Sequence, residues 1–233
     1  MINRIFVGFD RREPDAWNVC ARSIMAQSAG PFTLEPINSI LLRRAGIYTR
    51  PESVRNSIVF DEISAAAVAT EFSIARFMVP HIGNGSGWVL FVDSDFLFRA
   101  DIAELFALAD DRFAVMCVKH DHAPAETVKM DGQPQTQYAR KNWSSLMLIN
   151  TNHEAVQSLT PAMVNSLTGA ALHRLAWLPD ALIGELPIAW NWLTGYSDAA
   201  IDPKAVHFTN GIPSMPGYEN SPFADEWFSY ARG

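Results

Sequence analysis

The sequence predicts an α/β fold, a mixed but mostly parallel central sheet flanked by helices, and three observations lead there. Residues Trp88-Val89-Leu90-Phe91-Val92 form a run of five large apolar residues, too short for a helix and rich in strand formers. The run follows Gly83-Asn84-Gly85-Ser86-Gly87 and reads as a strand buried on both faces, as mid-sheet strands of α/β proteins are. The chain also opens in β-α-β order, with a strand at 5–9, a helix at 15–28 and a strand at 32–37. Its 233 residues suffice for one large domain, and no repeat or linker divides them, so 1–233 is taken as a single domain.

The elements follow in order. Pro14 suits the first turn of the opening helix, where its missing N–H costs nothing, and Gly30-Pro31 ends that helix. Residues 43–56 carry Gly46, Pro51 and scattered arginines and read as a loop. The alanine-rich stretch 61–79 has Val68, Phe72, Ala75 and Val79 at helical spacing and predicts a helix stopped by Pro80, with Arg76 in its last turn. There Arg76 suits either a helix C-terminus or a phosphate. A short helix is expected at 102–108 and a buried strand at 113–118. Residues 119–142 are polar, with the His120-Asp121-His122 pair, and read as a solvated or lid-like binding loop. A strand at 144–150 enters through two small hydroxyl residues, Ser144 and Ser145, which would let a ligand approach the backbone. Thr160-Pro161 caps a helix running to Leu167, and the tryptophans of 175–193 read as core. The last strand, 205–208, runs out into a turn-rich segment at His207.

Composition narrows the function. The chain is 48% hydrophobic and 18% charged, as soluble globular proteins are, and no window approaches the roughly 18 apolar residues of a membrane span. Its N-terminus lacks the layout of a signal peptide, so the expected compartment is the cytoplasm. A net charge of −7 argues against nucleic acid and anionic membranes as partners. Cys20 and Cys117 lack C-x-x-C spacing and read as small buried hydrophobes.

The chemistry concentrates in Asp93-Ser94-Asp95, at the end of the central strand. In an extended backbone the two carboxylates point the same way and Ser94 the other. Like charges so placed repel unless a cation or donors sit between them. A hard divalent ion such as Mn²⁺ or Mg²⁺ would remove the conflict; the pair would equally suit a turn or a helix cap.

In their order the pieces resemble nucleotide-sugar glycosyltransferases of the GT-A fold, closest in pattern to family 8, which includes glycogenin and bacterial lipopolysaccharide galactosyltransferases. The landmarks are a first strand ending in Asp10, Arg76 ahead of the central strand, Asp93-Ser94-Asp95, and a late His207-Phe208-Thr209-Asn210-Gly211. Trp143-Ser144-Ser145-Leu146-Met147-Leu148-Ile149-Asn150 resembles the family's small-residue strand, and Pro179-Asp180-Ala181-Leu182-Ile183 its D-Q-D helix start. The resemblance implies that Asp93, Asp95 and His207 hold Mn²⁺ (or Mg²⁺) and that Phe9, Asp10 and Arg11 cradle the nucleobase. It places Ser94, Ser144, Ser145 and Gly211 against the substrates, Arg76 on the diphosphate, and Asp180 at the catalytic cleft. The function implied is transfer of a sugar, with retention, from a UDP-type donor to a glycan, lipid-linked sugar or protein acceptor.

The chain also departs from the pattern. The family's late motif supplies a Lys to the diphosphate; here Ile212-Pro213-Ser214-Met215-Pro216 has none, and Lys141 and Arg76 are the candidates for that charge. Trp143 stands where the family has Asn, and Asp180 is what remains of D-Q-D. These departures keep open a catalytically degenerate nucleotide-sugar-binding module. A sugar-1-phosphate nucleotidyltransferase should open on a glycine-rich loop after the first strand, and Gly8 is the one glycine from Gly8 to Pro14.

Overall fold

The computed structural model describes residues 2–55, 58–121 and 140–232. Most of the expected 119–142 loop, including His122, lies outside the described residues, and with it the lid. In chain order the first strands are β1 (Asn3–Gly8), β2 (Phe32–Ile37), β3 (Glu52–Arg55), β4 (Ile58–Asp61), β5 (Ala66–Ala67) and β6 (Trp88–Val92). Then come β7 (Phe96–Phe98), β8 (Val115–Cys117), β9 (Leu146–Asn150), β10 (Ile183–Glu185), β11 (Trp192–Leu193) and β12 (Ala205–His207).

Six strands make the central sheet in the order β10-β8-β9-β6-β1-β2. Strand β9 runs antiparallel to both neighbours, and the other pairs are parallel. The carboxyl ends of β1, β6, β8 and β10 therefore meet the amino end of β9 along one edge, where ligands of such sheets gather. Residues Val89 to Val92 are buried, as a strand covered on both faces requires. Phe6, Val89, Phe91 and Met147 pack into the core on one face; Ile5, Leu90, Val92 and Leu148 pack into the core on the other. The helix Pro14–Gln27 carries Pro14 in its first turn, as expected. Trp190 and Trp192 are core, and both cysteines are buried and unpaired. Burial pushes the Cys20 thiol well above its ordinary range and that of Cys117 to about 12, which leaves both inert.

Two expectations are corrected. Residues 61–79 do not form one helix: β4 continues to Asp61, turns follow, β5 takes two of the alanines, and a 3₁₀ turn (Ala75–Met78) leads into a short helix (Val79–Ile82). Local side-chain bonds outcompete the helix here. Asp61 accepts from Ser64 N at 2.8 Å, and Thr70 N donates to Ser73 Oγ at 3.0 Å. Pro80 begins a helix rather than ending one. Phe72 is used in another way: its ring closes over Gly8, where a Cβ would lie 2.5 Å from it. The stretch 43–56 is not simply loop either, because it takes in the end of a helix (Ser39–Arg44) and strand β3.

Strands β3, β4 and β5 form a small antiparallel sheet anchored by a buried ion pair. Arg50 Nε and Nη2 donate to Asp61 at 2.9 and 2.5 Å, and Arg50 Nη1 donates to Val164 O and Leu167 O. Burial alone would raise the Asp61 carboxyl, but the bonds from Arg50 and Ser64 bring it below the usual range. The stability this lends is complete above the unfolded carboxylate pKa, about 3.9, and is lost as pH falls through the lower folded value. Urea midpoints below about pH 4 should therefore drop less steeply with acid in Asp61→Asn than in the parent.

Candidate functional site

The second small sheet, in the order β11-β12-β7, assembles the site. The chain leaves β6 at Val92, passes through Asp93-Ser94-Asp95 and enters β7, which pairs antiparallel with β12 so that Phe96 faces His207. Phe208 N donates to Asp95 O at 2.9 Å, and Asp93 N donates to Ser145 O at 2.8 Å. Backbone bonds thus lock the D-x-D turn to β12 on one side and to the mouth of β9 on the other.

The result is one cluster. A carboxylate oxygen from each of Asp93 and Asp95 and a ring nitrogen of His207 all lie within 4.8 Å of one another. Among the described residues these three are the His, Cys, Asp and Glu side chains grouped closely enough to hold one ion. His207 Nε2 stands 3.3 Å from Asp95 Oδ2, its ring stacked on Phe96 at 4.3 Å. Asp95 Oδ1 is buried with no hydrogen-bond partner among the described residues. An orphaned buried carboxylate oxygen beside a second carboxylate and an imidazole fits a divalent cation, since two oxygens and one nitrogen are donors that Mn²⁺ accepts.

Arg76 takes part from behind. Its Nη1 lies 2.7 Å from Asp93 Oδ1 and donates to Ser144 O at 2.8 Å, while Nε donates to Ser73 O. Burial raises the Asp93 carboxyl well above the usual range; Arg76 pulls it down, and the Asp95 charge pushes it up again. A cation in the cluster would relieve that conflict.

Each of the other expected residues has its own surroundings. Ser94, Ser144 and Ser145 are buried; Ser144 Oγ is 2.8 Å from His173 Nδ1, and Ser145 Oγ donates to Asn142 O. Asp10 is buried at the end of β1, held bidentately by Arg12 and bonded by Glu71 N. Burial opposes its charge, but the Arg12 and Glu71 bonds keep its carboxyl below the usual range. Arg11 pairs with Glu71, and Phe9 packs edge-on against Trp17. The bare Cα of Gly211 lies under the Tyr218 ring, where a Cβ would sit 2.9 Å away. Asp180 is 81% exposed and takes Arg140 Nη2 at 2.6 Å. Lys141 is buried, next to the Asn142 that Ser145 binds.

Asn191 and His173 belong to the site's surroundings but do not stand out in the sequence. Asn191, the polar residue between Trp190 and Trp192, is the one a polar break in an apolar run could have marked.

No family model matches the chain. It is 46% identical over 231 residues to Protein CDI of Arabidopsis thaliana, covering 97% of this chain and 85% of that one. Among solved structures it is similar to the WbbM bifunctional glycosyltransferase, with a TM-score of 0.65 at 15% identity over 99% of this chain. The chain spans 49% of the WbbM chain's length. It is also similar to the galactosyltransferase LgtC in complex with donor and acceptor sugar analogs, with a TM-score of 0.58 at 13% identity, covering 98% of this chain and 95% of that one. The fold is the GT-A fold of these glycosyltransferases. Among the described residues, no helix is long and apolar enough to cross a membrane.

Proposed function

Because this chain belongs to the family of the Arabidopsis thaliana Protein CDI and has the GT-A fold, we propose that it is a glycosyltransferase of family 8 type. It moves a sugar from a nucleoside-diphosphate sugar, a UDP-sugar by preference, to a hydroxyl of a glycan, lipid-linked sugar or protein, within one domain spanning 1–233. The observation that carries this reading is the Asp93–Asp95–His207 cluster at the carboxyl edge of the central sheet. These three side chains would hold Mn²⁺ or Mg²⁺. When bound, such an ion stabilises the negative charge that develops on the departing diphosphate.

The chain's own residues prepare that site. Arg76 orients Asp93 and brings a fixed positive charge behind it. The backbone just past β12 fixes Asp95 through Phe208 N. Ser144 and Ser145, small residues at the mouth of β9, leave room for the donor sugar. Phe9, Asp10 and Arg11 at the end of β1 form the nucleobase side, and Asp180, with Ser94 and Gly211, belongs to the substrate cleft. In the reaction the bond from the anomeric carbon to the diphosphate oxygen breaks and one to the acceptor oxygen forms, with loss of the acceptor proton. Retention at that carbon is part of the proposal.

Incubation with a panel of UDP-sugars, with and without Mn²⁺, tests the reading. Metal-dependent release of UDP, at least as slow hydrolysis without acceptor, is the expected result. Tight binding without turnover would reduce the protein to a nucleotide-sugar-binding module. Consumption of UTP and a sugar-1-phosphate would replace the proposal with nucleotidyl transfer.

Arg76 gives a second test. Arg76→Ala should weaken UDP binding in the presence of Mn²⁺ by about 1.5–3 kcal/mol, the scale of a hydrogen bond to a charged group. Arg76→Lys should restore only part of it, because Lys lacks the planar group whose Nε holds Ser73 O while Nη1 reaches Asp93 and Ser144 O. Unchanged affinity by calorimetry in Arg76→Ala would confine Arg76 to holding the 3₁₀ turn.

A further inference from the structure

Asn191 is fully buried between Trp190 and Trp192, and its amide closes the back of the metal cluster. Its Nδ2 donates to Ser145 Oγ at 3.0 Å and to Asn142 O at 3.3 Å; its Oδ1 lies 2.9 Å from His207 Nδ1. The neighbours leave the amide one way round. A backbone carbonyl accepts and never donates, so the NH₂ group faces Asn142 O and the oxygen faces the ring. Ser145 agrees: its hydroxyl hydrogen goes to Asn142 O at 2.7 Å, which leaves the hydroxyl oxygen free to accept from Asn191.

An amide oxygen at 2.9 Å from Nδ1 requires the proton on Nδ1. A neutral imidazole carries a single N–H, so Nε2 keeps a bare lone pair. Nε2 is the nitrogen that faces Asp95 Oδ2. Stacking on Phe96, with ring planes 20° apart, holds the plane of the ring while the amide selects the tautomer. Ligating histidines generally donate their second N–H in this manner, and loss of the acceptor typically costs 10–100-fold in metal affinity.

We infer that Asn191 is a positioning residue of the metal centre, fixing His207 as the Nδ1–H tautomer so that its Nε2 lone pair is already aimed at the cation. The inference rests on the reading that Asp93, Asp95 and His207 hold a divalent ion. It extends the site to a residue that touches neither metal nor substrate, and it ties the ligand histidine to Ser145 and Asn142 at the mouth of β9.

The test uses the full chain with ¹⁵N-labelled histidine, metal-free at mildly alkaline pH. Two-bond ¹H–¹⁵N spectra should show His207 protonated at Nδ1 and bare at Nε2. Asn191→Leu, close in size but without an acceptor, should shift His207 to a tautomer mixture. It should also weaken Mn²⁺ binding in the presence of UDP about 10–100-fold. Asn191→Asp keeps an acceptor toward Nδ1 and should retain the tautomer and most of the affinity. A wild-type proton on Nε2, or Asn191→Leu with unchanged tautomer and Mn²⁺ affinity, would overturn the role of Asn191 while leaving the metal centre standing. Wild-type protein that takes up no Mn²⁺ with UDP present would overturn the metal centre itself, whatever the tautomer. If Asn191→Leu fails to fold, the wild-type spectrum and Asn191→Asp decide.

Discussion

Asp95→Asn is expected to lower UDP release from the donor by at least about 100-fold while leaving the urea midpoint unchanged or slightly raised. Groups that stabilise developing charge act on that scale when removed singly. Asp95 Oδ1 is buried without a partner among the described residues, and the carboxylate faces a second acid and an imidazole. Among the described residues nothing pairs with that oxygen, which points to a use for the charge other than folding. Asn keeps the shape and removes the charge, which eases repulsion with Asp93 and withdraws a ligand at the same time. Initial rates of UDP release and urea unfolding on the same preparations check the two halves. A rate within threefold of the parent would take Asp95 out of the machinery.

Arg50→Ala should act in the opposite sense, costing about 3–5 kcal/mol of stability, the usual result of breaking a buried pair from one side. The variant strands Asp61, which is as buried as Arg50, and leaves Val164 O and Leu167 O without their donor. The double change Arg50→Met/Asp61→Leu should recover much of that loss, because it removes both buried charges together. Urea denaturation of the three variants measures this. A loss below about 1 kcal/mol in Arg50→Ala would mean that the small sheet is held by its packing alone.

Much of the central sheet could be read from residue order. Trp88 to Val92 could scarcely be anything but a buried strand, and β2 spans the six residues expected of it. Residues 61–79 misled because helical spacing of Val68, Phe72 and Ala75 is also met by a turn-rich stretch whose apolar side chains enter the core one at a time. The bonds that decide against the helix there, from Asp61, Ser64 and Ser73, depend on short-range geometry that a hydrophobic pattern does not record. In the site, Asp93 and Asp95 were legible because their chemistry is local: two like charges on one side of a strand end. His207 was legible only through resemblance, since 112–114 residues separate it from them and the pairing of β7 with β12 brings it in. The role of Asn191 was not legible, although a polar break between Trp190 and Trp192 could have marked its position. Its function lies in a hydrogen bond whose direction is set by Asn142 O and Ser145, and no spacing in the chain announces that.

The central claim is that Asp93, Asp95 and His207 form half of a coordination shell that a nucleoside diphosphate completes. Mn²⁺ titration followed by electron paramagnetic resonance, with and without saturating UDP, tests it most directly. Divalent ions of this kind are commonly held by one or two carboxylates together with substrate phosphates, so binding should be weak alone and at least about tenfold tighter with UDP. By reciprocity Mn²⁺ should tighten UDP by the same factor. Asp93→Asn, Asp95→Asn and His207→Ala should each abolish that coupling. If His207→Ala keeps the full mutual enhancement, the three-ligand centre is wrong.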